Sequence, residues 1–526
     1  MQFKECLRDF FQNSFRKSHL ISFVFLILIF PAIVFAADDV QQTDFQGIRE
    51  MLKQAEKLSR KGEFAEAEKI LRRAVASYPQ DKNAKLNLAY MLLKQKQPVA
   101  GYELAYEVAK SDPKNSFAFA ILGTAYLSAG NFPEAKVLLI NAIKLNKKEA
   151  LAWAGIGMLD FYENRVAVGL ENLREAVYYD SREPDFLFAL AQVAARAEKY
   201  REAAAAYEMF LQVSPRADKE RRDRIKGLIR FLNFLGSRQS LYDVGGQPNT
   251  SVPVELVNDR PVIELKINGK TKPLKFVLDT GSGISVISQE TAKELNIGSV
   301  ARGGLARAIG GTGKFEIVYG FLKKVEIGDV KIANVPVYIR QFHNKNEDID
   351  GYIGLSLISK FLTTIDYGNL TFALTQKDSL SKQKTENAVV TLPLRLTSSG
   401  FLSGEVQLEG VKNLLNFIVD TGASISVISY DVAGMEEIRG FVREEKMSVF
   451  GAAGVTEDVS SFLLPRVTFG NHSREQIKAI ALDLGLINEA SGFEQAGILG
   501  GNFLKNYSVT FDFQNSRVMF IPVSGK

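Results

Sequence analysis

This sequence is nearly without cysteine and histidine. Its one cysteine, Cys6, precedes a long apolar run. A chain processed after that run would therefore hold neither a disulfide nor a thiol nucleophile. The three histidines, His19, His343 and His472, show no metal-ligand spacing. Zinc chemistry and a serine–histidine hydrolase thus lack their usual residues, and no metal or organic cofactor is expected. Excess charge is scarce too: the net is +5 over 526 residues, with no Lys/Arg block interleaved with aromatics. Nucleic acid is not an expected partner. What is plentiful is core-forming material, 46% apolar against 24% charged, which suits several packed domains.

The N-terminus reads as a targeting segment. Arg16 and Lys17 precede an apolar run from Leu20 to Phe35, and Val34, Ala36 and Ala37 offer small residues at a cleavage point. Residues 1–36 are expected to be a signal peptide. Left uncleaved, residues 20–36 would be a signal anchor that holds the chain to a membrane. Either way the bulk of the chain is expected to be exported. Helical repeats without disulfides suggest a bacterial periplasm, with the chain free or membrane-anchored and facing it.

A regular period runs through the first half. Pro79 and Pro113 are one step apart, and further equal steps reach Lys147, Ser181 and Pro215. Midway between them lie turns such as "GEFAEA" and "GNFPEA", each ending on a small residue: Ala67, Gly101, Ala135, Gly169, Ala203. A second set of small residues, Ala55, Ala89, Gly123, Gly157 and Ala191, repeats at the same step. Small residues at both places let two antiparallel helices approach closely. The pattern resembles the tetratricopeptide repeat. The resemblance implies an α-solenoid over residues 44–236 with a groove for a peptide or partner protein. The segment ending at Gly236 is expected to be a polar-faced capping helix.

Beyond Gly236 the pattern changes to alternating strands, "VIELKING" and "FEIVYG" among them. Residues 237–252 are turn-rich and read as a linker, so the two halves are expected to fold independently. A second polar linker, 377–388, divides the remainder into stretches 253–376 and 389–526. These stretches superpose from two aspartates, Asp279 in "FVLDTGSGISVIS" and Asp420 in "FIVDTGASISVIS". Gly310 follows Asp279 at the spacing at which Gly451 follows Asp420, and Gly313 and Gly454 keep the same register. "GYIG" ends at Gly354 and "GILG" at Gly500, and Asp366 and Asp512 follow those glycines at one shared spacing. So many matching offsets indicate two copies of one fold.

Each copy resembles the retropepsin-like aspartic protease lobe, on the strength of "DTG" set between apolar residues and followed by an apolar–Gly element. The overall class expected is α + β multidomain: an N-terminal α-solenoid followed by two mainly-β lobes forming a pseudo-dimer. The resemblance implies a catalytic dyad of Asp279 and Asp420. It assigns support of the active-site loops to Thr280, Gly281, Ser282, Thr421, Gly422 and Ala423, with the two threonines bracing the loops across the lobe interface. It places flaps at Gly310, Gly311 and Gly313 and at Gly451 and Gly454, although the tyrosine usual in such a flap is absent from both. It puts close-packed glycines at Gly354 and Gly500. One carboxylate can take a proton from water while a second, protonated, hydrogen-bonds the substrate carbonyl. Two carboxylates held together share one proton.

Blander roles compete for several of these residues. The glycines at 310–313 could suggest a phosphate loop, but Ala308 and Phe315 break that motif. Ser285, Ser288, Ser426 and Ser429 read as structural hydroxyls, and Asp366 and Asp512 as turn residues. The function expected is an exported aspartic endopeptidase acting on polypeptides, with the solenoid recognising protein. Two alternatives stand beside it: a non-catalytic peptide-binding adaptor, and lobes that pair between chains. The completeness of both "DTG" triplets weighs against the adaptor.

Overall fold

The structure, a computed structural model, describes residues 37–523 apart from 217, 239, 309–313, 344–346 and 378–389. The expected signal segment, the first flap candidates Gly310, Gly311 and Gly313, and nearly all of the second linker lie outside the described residues.

Five helix pairs open the described chain: α1 (Ala37–Lys61) with α2 (Phe64–Ser77), α3 (Lys82–Lys94) with α4 (Pro98–Ser111), α5 (Ser116–Ser128) with α6 (Phe132–Leu145), α7 (Ala150–Tyr162) with α8 (Val166–Tyr179), and α9 (Pro184–Arg196) with α10 (Tyr200–Val213). An eleventh helix, α11 (Lys219–Gly236), closes the array. The periodic small residues sit where the sequence places them, between paired helices. Ala55, Ala67, Ala89, Ala135, Ala191 and Ala203 are buried. A methyl group on Gly157 would lie 3.1 Å from the Gly169 carbonyl oxygen, so nothing larger fits between α7 and α8. Each pair reverses direction on a residue in the left-handed region: Gly62, Lys96, Gly130, Asn164 and Glu198, one repeat apart. Asp81 and Asn115 cap α3 and α5 by accepting from the N–H groups of Ala84 and Ala118. Lys94 at the end of α3 pairs with Glu183 and Asp185 at the start of α9. That contact skips two whole pairs, a reach that only the hollow of a superhelix allows.

The second half forms three sheets. Two of them are the bodies of the two lobes, and they share one plan. In the first lobe, strand Leu274–Leu278 runs parallel to Gly351–Ile353, which pairs in turn with Val286–Ser288. In the second, Leu415–Val419 runs parallel to Gly497–Leu499, which pairs with Ser426–Ser429. The third sheet has six strands and belongs to both lobes. At its centre Phe361–Asp366 lies antiparallel to Tyr507–Asp512, and the hydroxyls of Thr364 and Thr510 meet at 2.8 Å near the pseudo-twofold axis. One chain therefore supplies both halves of the pseudo-dimer.

Residues 237–252 differ from the expected linker. They contain strand Asp243–Gly246, paired with Val330–Arg340 in the first lobe. They also begin strand Asn249–Pro253, which forms an edge of the six-stranded sheet. Turn residues such as Gly246, with φ of 84°, shape the bend between the two strands but do not keep their backbone out of the sheets.

The solenoid packs on the lobes. Helix α11 caps the array through Ile225, Ile229 and Leu232 as expected, but its other face is not polar: it carries Phe231, Phe234 and Leu235 and lies on the first lobe. Phe231 stacks on Tyr319 at 4.3 Å, and Phe234 meets Phe321 edge-on at 5.3 Å. Arg224 and Arg230 donate to the Leu305 and Arg302 carbonyls, each at 2.9 Å. The turns of the third to fifth pairs also touch the lobes. Phe493 packs against the stacked rings of Phe132 and Tyr162, Asn164 donates to the Phe513 carbonyl at 2.9 Å, and Glu198 pairs with Lys360.

Candidate active site

Each candidate aspartate follows a buried apolar strand, so the chain must carry a carboxylate out of the core at a fixed point. Asp279 donates its N–H to the Ile353 carbonyl at 2.9 Å, and Asp420 donates to Leu499 at 3.0 Å. These bonds continue the parallel strand pairings into the loops. Gly354 and Gly500 lie directly beneath. Their N–H groups donate to the Ser285 and Ser426 hydroxyls, each at 3.1 Å. A methyl group on Gly354 would come within 2.7 Å of the Ser282 carbonyl oxygen, and one on Gly500 within 2.6 Å of that of Ile425.

The two loops are locked to each other by an exchange of hydrogen bonds. The Thr280 hydroxyl donates to the Val419 carbonyl at 2.7 Å and accepts from the Thr421 N–H at 3.0 Å. The Thr421 hydroxyl donates to Leu278 at 2.6 Å and accepts from the Thr280 N–H at 3.1 Å. Both side chains are wholly buried. Losing either hydroxyl strands a buried donor and a buried acceptor, at about 1–3 kcal/mol for each group.

This lock brings the aspartates together. The glycine of each loop lies against the carboxyl group of the other, and each carboxyl group feels its partner. Gly281 faces Asp420 so closely that a methyl group there would lie 2.4 Å from its carboxyl carbon, and one on Gly422 would lie 2.6 Å from that of Asp279. Only glycine allows this crossing. The Gly281 N–H donates to Asp279 at 2.9 Å, and the Gly422 N–H donates to Asp420 at 2.8 Å.

The dyad is not symmetric. The Ser282 hydroxyl donates to Asp279 at 2.6 Å, whereas the matching residue in the second lobe is Ala423, which has no hydroxyl. Burial raises the Asp279 pKa above the usual carboxylate range. Ser282, the Asp420 carboxyl, the Gly281 N–H and the Arg340 guanidinium all oppose that rise. Asp420 is pushed well above the range, by burial and then by the charge of Asp279. Both shifts run upward and the larger falls on Asp420, so the pair favours holding one proton, with Asp279 and its hydroxyl donor the more readily ionised partner.

The remaining candidates divide clearly. Gly451 and Gly454 close a hairpin between strands Val442–Gly451 and Gly454–Phe469, the second of the two expected flap positions. Ser285 and Ser426 accept from the glycines beneath the loops, while Ser288 and Ser429 cap short helices. Asp366 and Asp512 accept from N–H groups in the turns that follow them. Sequence reasoning passed over Gly351 and Gly497, where a methyl group would come within 2.2 Å of the Phe276 and Phe417 rings. They open the "GYIG" and "GILG" strings, so the same superposition could have found them. It also passed over Arg340, which its counterpart in the second lobe gives no signal to find. Among the described residues no three His, Cys, Asp or Glu are gathered to hold a metal, and no helix is long and apolar enough to cross a membrane.

Two family models match the two halves of this architecture. The aspartyl protease family model matches residues 263–357 and again 404–503, once on each lobe. The tetratricopeptide repeat model matches residues 52–116 and 155–218. Solved structures similar to the chain include an aspartic proteinase from Irpex lacteus, 14% identical, with 52% of this chain and 98% of that one covered and a TM-score of 0.37. They also include a thermophilic tetratricopeptide repeat protein of Thermus thermophilus, 22% identical, with 35% and 98% covered and a TM-score of 0.30. No curated protein matches the sequence. The family models thus match a tetratricopeptide-like array of helix pairs followed by two β-rich lobes that resemble the aspartic protease fold.

Proposed function

We propose that this protein is an aspartic endopeptidase whose nucleophile is a water molecule held between Asp279 and Asp420. The observation that carries the reading is the threonine exchange, which holds two buried carboxyls in contact across a lobe interface. Asp279, ionised, takes a proton from the water as the oxygen attacks the peptide carbonyl carbon. Asp420, protonated, donates to the carbonyl oxygen as it gains charge. The intermediate carries two hydroxyl groups on the former carbonyl carbon. It collapses as Asp279 passes its proton to the amide nitrogen, Asp420 takes one back from a hydroxyl of the intermediate and the C–N bond breaks, which leaves a carboxylic acid, an amine, and the dyad again with Asp279 ionised and Asp420 protonated. The hairpin at Gly451–Gly454 is suited to cover an extended substrate and hydrogen-bond its backbone. The repeat array supplies protein recognition. Export remains part of the reading through the basic and apolar residues of segment 1–36.

The test is an isosteric pair of variants. Asp279→Asn and Asp420→Asn each remove one half of the acid–base pair with little change in volume. Each is expected to lower kcat/KM on a cleaved peptide by about 10²–10⁴ or more, with circular dichroism unchanged. A variant that keeps near-full activity would overturn the single-dyad mechanism. A wild type that binds peptides and cleaves none would favour the adaptor.

A further inference from the structure

Arg340 ends strand Val330–Arg340, beside Ser288 in the parallel pairing with Val286–Ser288. Its neighbour Ile339 points into the lobe core, so Arg340 leaves the strand on the opposite face. There the guanidinium lies 5.0 Å from the ring centre of Phe315, which stands on the strand following the first flap segment. Its Nε is buried and has no hydrogen-bond partner among the described residues. Its charge is felt at Asp279 and at Tyr352. Tyr352 is half-buried in the "GYIG" element, and its ring is edge-on to Phe342 at 5.2 Å. A buried guanidinium donor without an acceptor is costly, about 1–3 kcal/mol or more, and a ligand carboxylate would relieve that cost.

The duplication supplies an internal control. The second-lobe residue beside Ser429 in the matching parallel pairing is Leu482. The residue matching Tyr352 is Ile498, two positions before its aspartate's level as Tyr352 is in the first lobe. Both belong to one apolar cluster. Packing alone therefore accepts a hydrocarbon at this place in the fold, and the first lobe departs from it with a cation whose charge reaches Asp279.

We propose that Arg340, Tyr352 and Phe315 line a substrate subsite on the first lobe that takes an acidic side chain close to the scissile bond. The guanidinium pairs with the carboxylate of a substrate Asp or Glu, and the two rings cover its methylene groups. The matching subsite on the second lobe, walled by Leu482 and Ile498, takes an apolar side chain. This rests on the endopeptidase reading and names the substrate class for the same site.

The test uses the full chain and a peptide series that places Glu, Gln or Leu at each position flanking the cut. Wild type, Arg340→Leu and Arg340→Lys are each assayed at their own pH optimum. Wild type should prefer Glu to Gln at one position by about tenfold or more, because a bidentate charged pair discriminates against its neutral isostere. Arg340→Leu should lose that preference and favour Leu there. Arg340→Lys should retain part of it, because the charge remains and the forked geometry does not. An equal Glu/Gln ratio in wild type and Arg340→Leu overturns the subsite, even if the pH profile moves, since that would make Arg340 only a tuner of Asp279. Binding of uncleavable peptides with a reduced scissile bond, measured by calorimetry, separates the two readings. Arg340-dependent binding of the Glu peptide without any cleavage of its cleavable form would sustain the subsite and refute the protease. Neither binding preference nor cleavage would refute both.

Discussion

At the scale of single residues, the asymmetry of the dyad rests first on one hydroxyl and only then on the more distant charge of Arg340. Ser282 donates to Asp279, and Ala423 leaves Asp420 without such a donor. A hydrogen bond to the ionised form favours it and lowers the pKa. Activity needs the dyad to hold one proton, so its pH profile is bounded below by ionisation of Asp279 and above by ionisation of Asp420. Ser282→Ala removes stabilisation of the Asp279 carboxylate. The acid limb of the kcat/KM profile should move to higher pH, by about one unit if the bond contributes about 1.4 kcal/mol. Ala423→Ser adds a donor to Asp420 and should move the alkaline limb to lower pH by a similar amount. Profiles in which each substitution moves the other limb would reverse the roles assigned to the two carboxyls.

At the scale of elements, α11 shows how docking changes the meaning of a residue. Gly227 sits in the interior of this helix. In a free helix, Gly→Ala stabilises by about 0.5–1 kcal/mol. Here the added methyl group would meet the Arg302 carbonyl oxygen at 2.1 Å and the Gly303 Cα at 2.4 Å, both backbone atoms that cannot rotate away. Gly227→Ala should therefore destabilise the protein, by about 1–3 kcal/mol, and lower its Tm. Gly245→Ala, where a methyl group would meet nothing within 4 Å, is the matched control and should leave Tm nearly unchanged. A stabilising Gly227→Ala would mean that α11 does not rest on strand Ala301–Arg307 in solution. The turns of the solenoid follow the same logic. Their left-handed residues recur one repeat apart for local reasons, while those at 130, 164 and 198 also meet the lobes.

At the scale of the whole molecule, the array and the lobes form one body. A chain that begins at Ser251 would lose α11, strand Asp243–Gly246 and the first part of strand Asn249–Pro253. It would uncover Tyr319, Phe321 and Ala301, which now pack under Phe231, Phe234 and Leu235. Each large side chain returned to water costs about 1.5–3 kcal/mol, and two sheets would gain unpaired edges. Such a chain is expected to aggregate or to melt without cooperativity, as checked by size-exclusion chromatography and thermal unfolding. A monomeric, cooperatively folded pair of lobes from this truncation would show that the array is dispensable to the fold.

The split between sequence and tertiary structure follows the range of the interactions. The period of the helix pairs, the two "DTG" loops and the glycines at 354 and 500 were legible because each reports a constraint that recurs within the chain. Repetition shows a rule that one copy would hide. The pairing of Asp279 with Asp420 was legible for the same reason, since each copy offers half a site. Strands at 243–253 were hidden because turn-forming residues dominate their composition, and backbone hydrogen bonds to distant strands outweigh local preference. The docking of α11 was hidden because Phe231 and Phe234 serve a capping helix or an interface equally well in sequence. Arg340 left no trace at all. Its chemistry arises only from the pairing of two strands and from a half-buried cation whose charge reaches Asp279, and its duplicate position carries leucine.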